Sequence, residues 1–214
     1  MTTSMMVSDL LMQAAFLSTM IFMFLWMLDI PQKLFNKFRY RDKWIYAAKR
    51  HFVTGAELLA KSRSTGDRKL AQSAVEHADK SIAINPKDAA PHILKALALD
   101  LLGFTTSALE ALDTALSPLA AKSLTDDEKS DALFKRAEIR VKAGKGGGGV
   151  DAAVADLVES VRLKGDNAAA MRLLGECYEK KGMKEEALKA YMGSVKIEPQ
   201  STVAQAALVR LGSS

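Results

Sequence analysis

Glycines 144, 146 and 149, in the stretch AGKGGGGVD over residues 143–151, repeat the Gly-x-Gly-x-x-Gly spacing that lets a backbone approach a dinucleotide pyrophosphate. That chemistry needs a strand before the glycines and a helix N-terminus after them, so that amide hydrogens converge on the phosphate. His51, His77 and His92 are the histidines of the chain, and none stands in the H-x-x-x-H or H-E-x-x-H spacing that places two imidazoles on one helical face. The single Cys177 can form neither an internal disulfide nor a multi-cysteine zinc site. It fits a reducing compartment, and with no basic neighbour to favour a thiolate it reads as a small packed side chain. The acidic clusters TDDEK (125–129) and KKGMKEE (180–186) have the make-up of solvated helix starts, whereas general acid–base work needs a carboxyl in a closed pocket. No catalytic, metal or cofactor residue is therefore assigned, and the chain is read as a non-enzyme.

The elements around these residues explain them better. The 214 residues are 49% hydrophobic, enough for one core of about 150 residues and an additional segment. The additional segment is Leu10–Leu28, which contains no ionisable side chain and reaches about 28 Å as a helix, the thickness of a bilayer's hydrocarbon. A cleaved signal would place its basic residues first and end on small residues. Here the basic residues follow instead, with Lys33, Lys37, Arg39, Arg41, Lys43, Lys49 and Arg50 against the lone Asp42 between 31 and 50. This asymmetry predicts a single-pass anchor with residues 1–9 luminal or external and the remainder cytosolic. Lys33, Lys37, Arg39, Arg41 and Lys43, interleaved with aromatic residues over 29–50, are the expected contacts with anionic lipid. The endoplasmic reticulum is the expected membrane, with an organelle's outer membrane as the alternative. Beyond residue 50 the chain is nearly neutral, a poor match for a phosphate backbone, so nucleic acid is not expected as a partner.

The rest of the chain repeats itself. Counting Ala168 as position 1, the stretch 168–201 places Leu174 at 7, Gly175 at 8, Tyr178 at 11, Gly182 at 15, Ala187 at 20, Tyr191 at 24 and Pro199 at 32. The stretch from Ala89 keeps the same register, with Ala96, Leu99, Gly103, Ala108 and Leu112 at 8, 11, 15, 20 and 24. From Ser130, Ala137 and Gly144 fall at 8 and 15, but the next small residue in register, Ala153, lies four residues late. Gly146–Gly149 therefore read as an insertion in the turn between two helices. Small residues at 8 and 20 let paired helices approach closely, bulky ones fill the space between pairs, and Pro199 stops the second helix.

This pattern resembles the tetratricopeptide repeat (TPR). The resemblance implies an all-α chain, an N-terminal single transmembrane helix followed by a TPR-type solenoid of helical hairpins over 43–211. Its units are 43–88, 89–122, 130–167 and 168–201, with a capping helix at 201–211. It also implies a groove lined by positions 5, 9 and 12 of each first helix: Ile93, Leu97 and Asp100; Phe134, Glu138 and Val141; Arg172, Glu176 and Glu179. Such a groove grades from apolar to acidic and suits a protein or peptide with apolar and basic character. Relatives that clamp a C-terminal carboxylate carry Lys at 5 and Asn at 9, and those residues are absent here. The expected function is a membrane-anchored, cytosol-facing scaffold for protein interaction, an adaptor or assembly subunit. The alternatives are an outer-membrane receptor for targeting peptides and a structural subunit held by its span.

Overall fold

The computed structural model describes residues 11–21, 24, 30–144 and 147–212, and divides the chain into two compact units, 1–47 and 48–214. In the first unit residues 11–21 are helical (α1), and Leu11, Met12, Phe16, Leu17, Met20 and Ile21 are exposed. The other residues of the expected Leu10–Leu28 span, apart from Phe24, lie outside the described residues. Among the described residues no helix is long and apolar enough to cross a membrane. Lys33, Lys37, Arg39 and Arg41 lie on the helical backbone of α2 (Ile30–Thr65), and their side chains fall outside the described part. Lys43 is exposed, as are Trp44, Ile45 and Tyr46 beside it.

The elements of the second unit, among the described residues, are all helices. After α2 come α3 (Arg68–Ile84), α4 (Ala89–Leu102), α5 (Thr105–Ala115), a 3-10 turn (Ala120–Ser123), α6 (Asp126–Ala143), α7 (Gly147–Leu163), α8 (Ala168–Lys180), α9 (Lys184–Ile197) and α10 (Thr202–Gly212). Local chemistry sets these starts. Asp67, Asp88 and Asn167 cap α3, α4 and α8 by accepting from the backbone N–H of Lys69, Ala90 and Ala170. Thr125 and Glu128 form a reciprocal capping box on α6, whose first turn also carries Asp126 and Asp127 where the helix dipole favours acids.

From α3 onward each helix packs mainly on its neighbours in sequence, as in a stack of hairpins. Alanines at 71, 74, 78, 96, 108, 137, 153, 170 and 187 are 0% exposed, so the helices meet across methyl groups and can lie close. The cores are separate patches. Leu59, Leu94, Leu99, Leu112 and Ile139 anchor the first, Leu157, Leu173, Leu174 and Cys177 the second, and Tyr191 with Ala204 and Ala207 the third. A buried hydroxyl recurs inside the hairpins. Ser81 of α3 donates to the carbonyl of Ala48, Ser160 of α7 to that of Ser130, and Ser194 of α9 to that of Ala168, at 2.9–3.0 Å. Each bond ties a second helix to its first. In the α4–α5 pair the equivalent residue is Ala115, which buries a methyl group instead.

The glycine run departs from the sequence expectation. Backbone is already helical at Gly147, so Gly147–Gly149 form the first turn of α7 rather than extra length in the connection. The added glycines lengthen the helix at its N-terminal end, where four amides lack intrahelical partners in any case and glycine's weak propensity costs least. The element before them is α6, a helix, so the strand-loop-helix setting of a dinucleotide site is missing among the described residues.

Candidate partner-binding groove

The first helices of three successive hairpins, α2, α4 and α6, border an open cavity of about 550 Å3. Phe52, Ala56 and Leu59 line it from α2, Ile93, Leu94 and Leu97 from α4, and Phe134 from α6. Its volume is that of a small-ligand or side-chain pocket. Ile93, Leu97 and Phe134, taken from sequence as groove residues, do converge here, each half-buried. The α2 wall was missed because this helix departs from the repeat pattern. The spacing of Phe52, Ala56 and Leu59, one helical face at three- and four-residue steps, was its available signal.

The other candidate positions are already engaged within the chain. Asp100 and Glu138 both bind Lys135, each at 2.8 Å, and Lys142 approaches Glu138 at 3.4 Å. Burial disfavours the Lys135 charge, but hydrogen bonds to Asp100 and Glu138 outweigh it and raise its pKa. Glu138 is likewise held below the usual carboxylate range, because Lys135 and then Lys142 overcome its partial burial. Val141 packs against the second core. Arg172 pairs with Glu176 one turn along α8. Glu179 accepts from the Tyr191 hydroxyl at 2.7 Å and from Arg210 at 2.9 Å. The acidic end expected at Glu138, Glu176 and Glu179 is therefore neutralised by the protein's own cations and a phenol. The acids beside the cavity are instead Glu128 and Asp131, at the start of α6. Hydrogen bonds from the Thr125 backbone N–H and then its hydroxyl hold the Glu128 carboxyl below the usual carboxylate range, while Asp131, 61% exposed, has Lys164 at 3.6 Å. Arg63 stands at the α2 rim.

The remaining chemistry-bearing residues have structural surroundings. His92 is buried with Nε2 3.1 Å from the carbonyl oxygen of Pro86. Cys177 is fully buried, and burial raises its thiol pKa, which suppresses the nucleophilic thiolate. His51 and His77, 26 residues apart, are brought together with their Nδ1 atoms 3.3 Å apart. Asp156, a buried carboxylate of α7, is gripped by Arg136 and Arg140 of α6. Neither meeting follows from sequence spacing.

No protein-family model matches the sequence, and no curated protein matches it. Solved structures do. MamA superposes with a TM-score of 0.61 at 18% identity, over 77% of this chain and 82% of that one. YrrB, described as a TPR protein with an unusual peptide-binding site, superposes with a TM-score of 0.58 at 17% identity, over 74% and 73%. The fold is that of the tetratricopeptide repeat. PilF of Pseudomonas aeruginosa gives the same TPR architecture, with a TM-score of 0.61 at 15% identity over 80% and 68%. At such identities the likeness is one of fold. The cavity lies within the TPR hairpins, between first helices that face one another across successive repeats.

Proposed function

We propose that this chain is a membrane-anchored TPR scaffold that captures a segment of a partner protein in the α2–α4–α6 cavity. The observation that carries the reading is the open apolar lining of Phe52, Ile93, Leu97 and Phe134 between first helices. A peptide-binding site is named for YrrB, and its fold resembles this one. With Asp100, Glu138, Glu176 and Glu179 paired internally, affinity would come from an apolar side chain inserted into the cavity. A basic residue next to it would face Glu128 and Asp131. This favours an adaptor over a receptor for Arg-rich targeting helices, which needs a longer run of open acids.

Leu97→Arg and Phe134→Arg, made in the full chain purified from gently solubilised membranes, should each remove the groove-dependent partners at least tenfold in quantitative affinity purification, with helical circular dichroism unchanged. Identical partners on wild type and both variants would refute the groove. The anchor reading is supported by the ion-free stretch Leu10–Leu28 and by the exposed apolar side chains of α1. Deleting residues 1–30 should move the protein from the carbonate-resistant membrane fraction to the supernatant. A deletion variant that stays with the membrane would overturn this part and leave the groove untouched.

A further inference from the structure

We infer that His51 and His77 form a two-imidazole site for a divalent transition-metal ion of the zinc, nickel or copper class, clipping α2 to α3. Their Nδ1 atoms are 3.3 Å apart, with ring centroids separated by 5.4 Å and planes tilted by 49°. An ion about 2.0–2.1 Å from each of two imidazole nitrogens, at a near-tetrahedral angle, holds those nitrogens at about this separation. Without an ion the two nitrogens share one hydrogen, so one ring is donor and the other acceptor. Metal replaces that hydrogen bond once the donor ring shifts its proton from Nδ1 to Nε2. Both rings stay neutral and no net proton is released.

The site is held from two sides. One turn away, the Ser81 hydroxyl donates to the carbonyl of Ala48 at 2.9 Å, joining the same two helices. One turn the other way along α2, Gly55 lets α3 come close. A Cβ at that position would lie 3.1 Å from the His77 Cβ and 2.9 Å from Leu94 Cδ2. The imidazoles thus sit on two helices fixed above and below them, so little rearrangement is needed for both to bind one ion. Burial, then Lys80 and His51, lower the His77 pKa against the smaller opposing influence of Glu76. Among the described residues no third His, Cys, Asp or Glu completes a cluster, so the ion keeps exchangeable positions for water. Imidazole donors select nickel, copper and zinc over magnesium, whose preference is for oxygen.

The test uses tag-free, full-length protein stripped with chelator. Titration calorimetry with Zn2+ and Ni2+ should show one ion per chain, with Tm raised by about 5 °C at saturation and no response to Mg2+. His51→Gln and His77→Gln should each weaken binding at least tenfold. Pulsed electron paramagnetic resonance of the Cu2+-loaded wild type counts bound imidazoles independently of how the variants fold. Two imidazoles support the site, whereas none or one, or equal Zn2+ affinity in folded Gln variants, overturns it.

Discussion

Asp156→Ala is expected to lower stability by about 3–5 kcal/mol, read as a fall in the urea midpoint at pH 7. The carboxylate is 7% exposed in its side chain and accepts from Arg136 Nε at 2.9 Å, Arg136 Nη2 at 2.5 Å and Arg140 Nη1 at 2.5 Å. Truncation leaves two guanidinium groups, 16% and 21% exposed, facing a void. Their remaining acid is Asp113 of α5, at 2.7 Å from Arg136 and 3.4 Å from Arg140 but itself 53% exposed and screened by water. The loss is that of stranded buried charge, so removing the charge as well should relieve it. The triple variant Asp156→Ala, Arg136→Leu, Arg140→Leu should recover a large part of the midpoint. A cost under about 1 kcal/mol for Asp156→Ala would mean that the cluster behaves as a surface ion pair.

Tyr191→Ala should be comparably damaging, at about 3–5 kcal/mol, and should release the C-terminal cap. Tyr191 is 1% exposed, the largest fully buried side chain among the described residues, and it forms the third core with Ala204 and Ala207 of α10. Its ring lies so close to α8 that a Cβ on Gly175 would be 2.8–2.9 Å from three ring carbons. The hydroxyl is bound to Glu179, and burial followed by that carboxylate pushes its pKa well up. Two further variants separate these contributions. Tyr191→Phe keeps the ring and should cost about 1–2 kcal/mol through the lost bond to a charged acceptor. Gly175→Ala overfills the same contact and should cost about 1–3 kcal/mol in wild type but less beside Tyr191→Leu, a coupling that thermal melts of the four proteins would reveal. Additive effects would show that ring and glycine do not share one contact.

The residues that announced the fold are the ones whose type is dictated by a helix passing within contact distance. Gly175 can be nothing bulkier beneath Tyr191, and Ala187 is 0% exposed in the third core. Such positions recur with the repeat and can be counted along a string of letters. The lining of the cavity was half legible. Ile93, Leu97 and Phe134 follow from register, but the α2 wall lies in a helix that breaks the pattern. The internal partners of the acids could not be read in the same way, because a carboxylate's surroundings depend on what reaches it. Arg172 could be foreseen four residues before Glu176, whereas Tyr191 and Arg210 come to Glu179 from 12 and 31 residues away. His51 with His77 and Asp156 with Arg136 were illegible for the same reason. Which faces of two paired helices oppose each other depends on their rotation and crossing, which no spacing within one helix encodes.

If the cavity captures a partner segment as proposed, the internal pairing of Asp100 and Glu138 with Lys135 also bears on timing. With Asp100 and Glu138 both bound to Lys135, the open acids beside the cavity are Glu128 and Asp131, so on the proposed reading an arriving segment would be steered weakly and its encounter rate would stay near that of unsteered docking, about 10⁵–10⁷ M⁻¹s⁻¹. Residence time would then rest on the fit of one apolar side chain between Leu97 and Phe134. Small changes at the tip of that side chain would alter how long the complex lives and leave its rate of formation, and its tolerance of salt, nearly as they were.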